Sequence, residues 1–237
     1  MNRRPIPILV LGALIAALPT VDAAATDRGH WGETQAMRFH LGEFTPRGNY
    51  AYWDDKKLEF SGDSDDFSGG IVRIEYLRYL GEHLGLLASG GYYEGSSRQY
   101  YLDFVDERGA DIFHSTSLDV GSLTVGLLAH PIGRDKVVSP YIGAGAGFYS
   151  WRLRESGDFI DFGPIPPEIF AGSFRATGTT FGWYYQVGLE VPVARNFAVE
   201  AEARWDRADD ELGGEFQGFG DLDLSGRALT LGVSWSF

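Results

Sequence analysis

After the first 25 residues, histidine and serine cluster at His114-Ser115-Thr116-Ser117. The chemistry open to such residues is nucleophilic, with a hydroxyl attacking while an imidazole takes its proton. Neighbouring positions of a strand point to opposite faces, however, which separates His114 from Ser115. His114 therefore reads as a loop or rim residue. Carboxylates form two further groups: Asp54, Asp55, Glu59, Asp63, Asp65 and Asp66, then Asp209, Asp210 and Glu211. Such groups can hold Ca²⁺, but Gly62 precedes the Asp63-x-Asp65-Asp66 cluster instead of occupying the sixth loop position, so they read as solvated loops. Gly143, Gly145 and Gly147 share one face of an extended segment, and without a following helix they do not make a phosphate loop. They read as room for bulky neighbours or as local curvature. No catalytic residue, cofactor site or metal site is assigned, and the chain is expected not to be an enzyme.

The remaining ionisable residues sit inside alternating segments, and those segments must position them. Phe181, Trp183, Tyr185, Val187, Leu189 and Val191 alternate with polar or small residues, as do Phe197 to Trp205 and Leu229 to Phe237. Period two is the mark of strands whose two faces meet different surroundings. Eight strands are predicted, near 36–45, 69–79, 84–94, 117–129, 138–152, 179–192, 197–208 and 223–237. Short links at 80–83, 130–137 and 193–196 alternate with long polar ones at 46–68, 95–116, 153–178 and 209–222. Strict alternation of this kind describes an antiparallel up-and-down meander with all its short turns at one end.

Composition limits what the meander can be. The 237 residues hold 33 acidic against 20 basic side chains, 32 glycines and no cysteine. A formal charge of −13 argues against a nucleic-acid partner, and the lack of cysteine excludes disulfides, thiolate metal sites and cysteine nucleophiles. Residues 1–25 carry Arg3 and Arg4, an apolar run from Ile8 to Leu18 and a small-residue stretch at Ala23–Ala25, the layout of a cleavable secretory signal. That leaves 26–237 as one domain.

A soluble barrel and a membrane barrel share the same alternation with opposite faces inside. The export signal, the aromatics near strand ends (Tyr76, Tyr79, Tyr92, Tyr93, Tyr149, Trp151, Trp183, Trp205 and Trp235) and a final strand ending on Phe237 favour the membrane. A charge facing lipid at the midplane costs about 2–4 kcal/mol. Arg38, Arg73, Arg204 and Arg227 are therefore expected to point into the lumen with Glu75, Glu190, Glu200, Glu202 and Asp223. Four bases against five acids can form an ion-pair network that stabilises an eight-stranded barrel and plugs it.

The alternating end, with Trp235 and Phe237, resembles the carboxy-terminal strand by which outer-membrane proteins of Gram-negative bacteria are recognised by their assembly machinery. SPYIGAGAGFY (139–149) resembles the fifth strand of small barrels of the OmpA, OmpX and OmpW type, and NFAVEAEARW (196–205) resembles their seventh. The resemblance implies an all-β, eight-stranded transmembrane barrel of the outer membrane, with its lipids, lipopolysaccharide and the assembly machinery as partners. It does not imply one function. A structural or surface-interaction role is expected first. Passive passage of small hydrophobic molecules is second, suggested by the apolar loop around Phe159, Phe162, Ile165 and Phe170. Lipid A modification through His114 is a distant third.

Overall fold

The computed structural model describes residues 33–48, 52–53, 58–62, 64–134 and 136–237. The expected signal segment lies outside them, as do Asp54, Asp55 and Asp63 of the acidic loop. Eight long strands close a barrel: β1 (Gln35–Pro46), β2 (Gly69–Tyr79), β3 (Leu84–Val105), β4 (Asp111–Ala129), β5 (Ser139–Asp161), β6 (Glu168–Ala194), β7 (Phe197–Arg207) and β10 (Gly226–Ser236). Two short strands, β8 (Asp209–Glu211) and β9 (Asp221–Asp223), pair with each other between β7 and β10. Each barrel strand pairs antiparallel with its sequence neighbour, and β10 returns to β1 in a register running from Ala36↔Ser236 to Pro46↔Gly226. Closure leaves no sheet edge within the ring.

All three short turns share one end of the barrel with Gln35 and Phe237, whose backbone groups bond each other at 2.9 and 3.3 Å. Along the lower wall the outward face is apolar. Leu123 is 71% exposed and Phe148 60%, and Ile74, Phe181, Val187 and Trp235 lie on the same surface. An apolar band around a whole circumference has to be covered, and lipid covers it on a closed barrel.

The wall is uneven in height. β2 pairs with β3 only as far as Glu94, and β6 pairs with β7 only from Trp183 downward. Above those points β3–β6 continue as a sheet of their own, with β5 and β6 paired up to Asp161↔Glu168. The segments 95–116 and 153–178, expected as loops, are instead hairpin arms closed by tips at 106–110 and 162–167. The physical reason is a change of medium. Below the rim the outward residues are apolar (Ile142 and Phe148), whereas above it Arg152 and Arg154 face outward and Trp151 and Leu153 face inward. The alternation persists but its phase reverses, so a count of outward apolar residues stops at the rim.

The inner face of this tall side is covered by the first and last connections. Tyr52, Trp53 and Phe67 from the former and Leu212, Phe216, Leu222 and Leu224 from the latter pack against Tyr93, Leu118, Trp151 and Leu153. The apolar 162–167 tip stays outside, with Ile165 99% exposed. Within the barrel, the Gly145 position faces the Tyr184 ring, where a Cβ would lie 2.7 Å from Cε1. Only glycine leaves that ring its place.

Candidate functional site

Strand β7 forms the spine of the bore. Glu200, Glu202, Arg204 and Asp206 occupy alternate positions and are all buried, because alternate residues of a strand share one face. Their partners come from strands around the ring. Arg38 on β1 donates from Nη2 to Glu190 Oε2 on β6 at 2.6 Å, while its Nε lies 2.9 Å from Glu200 Oε1. Arg73 on β2 donates from Nε to Glu75 Oε1 at 2.8 Å and also pairs with Glu202. The Tyr141 hydroxyl donates to Glu202 at 3.0 Å. Arg204 pairs with Asp206 at 2.9 Å, reaches Ser89 and Thr124 on the far wall at 3.5 Å, and lies 3.6 Å above the Tyr184 ring. The Tyr149 hydroxyl completes the ladder by donating to Asp206 at 2.7 Å.

His40 sits among these groups, with Nε2 3.1 Å from Glu200 Oε2 and 3.6 Å from Glu75 Oε2. The predicted charged set omits His40 and Asp206. The signal for both is present in the sequence, since His40 shares its face with Arg38 and Asp206 with Arg204. His40, Glu75 and Glu202 could each offer one atom within 4.8 Å of the others, as a metal site requires. Arg73, however, already holds both carboxylates, so a dication there would meet a guanidinium at once. The chemistry of the arrangement is electrostatic: charged groups removed from water and paired across the bore.

Two of the predicted lumen residues lie elsewhere. Asp223 is buried, but on β9 at the outer mouth, where its carboxylate accepts the Ser225 amide at 2.8 Å and so shapes the entry into β10. Arg227 is exposed on the outer surface of β10. It has the parity of outward Leu229, against the expectation that no charge faces outward.

Above the bore, Tyr52 donates to Glu155 at 2.5 Å. Burial, reinforced by the adjacent carboxylate, holds its phenol well above the ordinary tyrosine value. His114 is not at an open rim. It is buried on β4, with its ring 4.3 Å from Phe60 and 5.6 Å from Phe159 by centroid, and Ser115 faces the opposite side.

The family model described as "Outer membrane protein beta-barrel domain" matches residues 12–237. The chain belongs to that outer-membrane β-barrel family. Among curated proteins no sequence matches it. Among solved structures, this outer-membrane barrel is similar to the outer membrane protein OprG from Pseudomonas aeruginosa, at 11% identity over 88% of this chain and 98% of that one, with a TM-score of 0.55. It is also similar to Neisserial surface protein A, at 14% identity over 86% and 96% of the two chains, with a TM-score of 0.47. Membership places the chain in the outer membrane of a Gram-negative bacterium and the apolar band in lipid.

For an outer-membrane barrel the position of Arg227 has a physical reason. It pairs with Thr45 and Trp205 at the outer end of β10, where it meets headgroups and not hydrocarbon. The aromatics expected in the girdle divide between the two faces. Tyr76, Tyr92, Trp183, Trp205 and Trp235 face outward, whereas Tyr79, Tyr93, Tyr149 and Trp151 point inward and are buried. Inward rings with a polar tip serve the bore instead. The Tyr149 hydroxyl engages Asp206, and the Tyr79 ring lies 3.4 Å beneath the Arg134 guanidinium.

Proposed function

We propose that this protein is a non-enzymatic component of the outer membrane, with a bore closed by its own side chains and hairpin arms that contact the exterior. The observation carrying this reading is the double engagement of Arg38 with Glu190 and Glu200, which ties β1 to β6 and β7 through the interior. Buried charges held this way resist displacement by a passing solute, because breaking one pair separates opposite charges away from water. The apolar tip of the β5–β6 arm, with Phe162, Ile165 and Phe170 exposed, suits a contact surface. The outward rings of Trp235 and Phe237, 5.0 Å apart, are the feature that assembly machinery would read. Purified wild-type protein in a planar bilayer is expected to give no open-channel steps. Regular steps in the wild type would refute the closed bore.

Passage of small hydrophobic molecules is supported by the same exposed tip but opposed by the charge belt below it. Flux of an apolar solute into proteoliposomes at a rate above that of empty liposomes would favour it. The enclosure of His114 by Phe60, Tyr101 and Phe159 speaks against lipid A modification. Unaltered lipid A acylation in cells carrying His114→Ala is expected.

A further inference from the structure

The outward charges just above the apolar band are sorted by side. On β1, β3 and β4 the outward residues at this level are Glu43, Glu94 and Asp119, with Arg98 on β3 a basic exception just above them. On β5, β6, β7 and β10 they are Arg152, Arg154, Arg175, Arg207 and Arg227. The densest part of the basic side is a single strand pair. Arg154 on β5 stands directly opposite Arg175 on β6, and Arg152 lies two residues below Arg154 on the same face.

Like charges directly opposite each other on a sheet repel. Arg152 has Asp119 at 3.7 Å across the other seam. Among the described residues, no carboxylate forms an ion pair with the guanidinium of Arg154 or Arg175. The Glu215 carboxylate is nearby but is taken by the Arg175 backbone amide at 2.6 Å. Two guanidinium forks thus stand side by side, neither of them held in an ion pair among the described residues, with one carboxylate, Glu215, fixed on the neighbouring backbone.

Along this strand pair the outward side chains change chemistry in a fixed order. Below the arginines come hydroxyls, with Thr177 opposite Arg152 and Thr179 opposite Ser150, the last two 3.2 Å apart. Below the hydroxyls come Phe148 and Phe181, with ring centroids 5.8 Å apart. Further down β5, outward Ala144 and Ala146 leave the wall shallow. From outside to midplane the surface therefore runs cation, hydroxyl, ring, shallow apolar wall. A ligand complementary to that order is an amphiphile with phosphate on a sugar headgroup above acyl chains.

We infer that Arg152, Arg154 and Arg175 form a binding site for the phosphorylated glycolipid of the outer leaflet, with Arg154 and Arg175 gripping one phosphate and Ser150, Thr177 and Thr179 facing the sugar. Paired guanidinium forks match phosphate oxygens in a way that single charges do not. The site holds one such glycolipid tightly on the basic side of the barrel, whereas the acidic side offers its phosphates no cation pair.

The test uses the folded protein in detergent, with lipid A bearing its phosphates, lipid A stripped of them, and inorganic phosphate as probes, each followed by native mass spectrometry. Phosphorylated lipid A is expected to bind at least about tenfold more tightly than the stripped form. Arg154→Gln with Arg175→Gln should erase that preference. Arg98→Gln with Arg108→Gln, which removes the same charge elsewhere, should retain it. Heat-modifiable gel migration verifies that each variant is a closed barrel. If the glutamine pair does not fold, Arg154→Lys with Arg175→Lys takes its place and should weaken the preference by losing the forks. Equal binding of the two lipids, or a variant pair that binds as the wild type does, would overturn the site. Displacement of lipid A by equimolar inorganic phosphate would overturn the lipid assignment in favour of a free-anion site.

Discussion

Arg38 and Glu190 are 152 positions apart in the chain and meet at 2.6 Å inside the barrel, one from the first strand and the other from the sixth. Three steps around the ring separate those strands. The contact can exist only once the ring has closed, so it reports closure in a way that hairpin contacts do not.

Arg38→Met should therefore be costlier than Glu190→Gln. The first change leaves two buried carboxylates, Glu190 and Glu200, without their shared cation, at about 3–5 kcal/mol. The second leaves Arg38 its contact with Glu200. Urea unfolding in detergent, followed by tryptophan fluorescence, should rank the midpoints wild type, Glu190→Gln, Arg38→Met. Equal midpoints for the two variants would contradict the double engagement.

Arg204 and Arg227 lie on neighbouring strands and face opposite ways. Arg204→Leu strands Asp206 in the interior and should cost about 3–5 kcal/mol, whereas Arg227→Leu changes an exposed outer position and should stay within about 0.5 kcal/mol. The same unfolding assay measures both. Comparable losses would mean that Arg227 turns inward after all.

Gly145→Val drives a side chain against the Val125 carbonyl of the neighbouring strand and against the Tyr184 ring, which supports Arg204 at 3.6 Å. Overpacking of this kind costs about 1–3 kcal/mol. The temperature at which the barrel loses its fast gel mobility should fall. No fall would mean that the wall yields at this point without cost.

Tyr52 should fail to ionise near pH 10. Its folded-state value is raised above the unfolded one by burial and by Glu155, so the folded form holds the proton more tightly. The stabilisation from docking Tyr52 is thus complete below the ordinary tyrosine value and is lost as pH rises above it. Phenolate absorbance of wild type minus Tyr52→Phe should show no titration near pH 10, and protease cleavage of the first loop should increase only at higher pH. A normal titration would place Tyr52 in solvent.

The lower wall was legible in the sequence because lipid imposes one rule along its height. Phe181 to Leu189 and Phe197 to Trp205 alternate cleanly, and the predicted span of β2 coincides with the observed one. The arms of the hairpins were not legible for the reason given by Phe148 and Trp151. These residues are three positions apart, of opposite parity, and apolar on opposite faces of the wall, so a search for one continuing pattern ends between them. The bore was largely legible because a charge within a lipid-facing strand has one tolerable direction. That inference fails at strand ends, where Arg227 finds headgroups, and it cannot tell an inward tyrosine from an outward one, as Tyr149 and Tyr92 illustrate.

The phase reversal on β5 also fixes the depth at which the barrel floats. Sliding the molecule inward by the rise of a few residues would drag Arg152 and Arg154 into hydrocarbon, and sliding it outward would lift Phe148 and Phe181 into the sugar layer. Both displacements are penalised, so the waterline is written into the strand and the tall side stands at a set height above the membrane, like the freeboard of a hull.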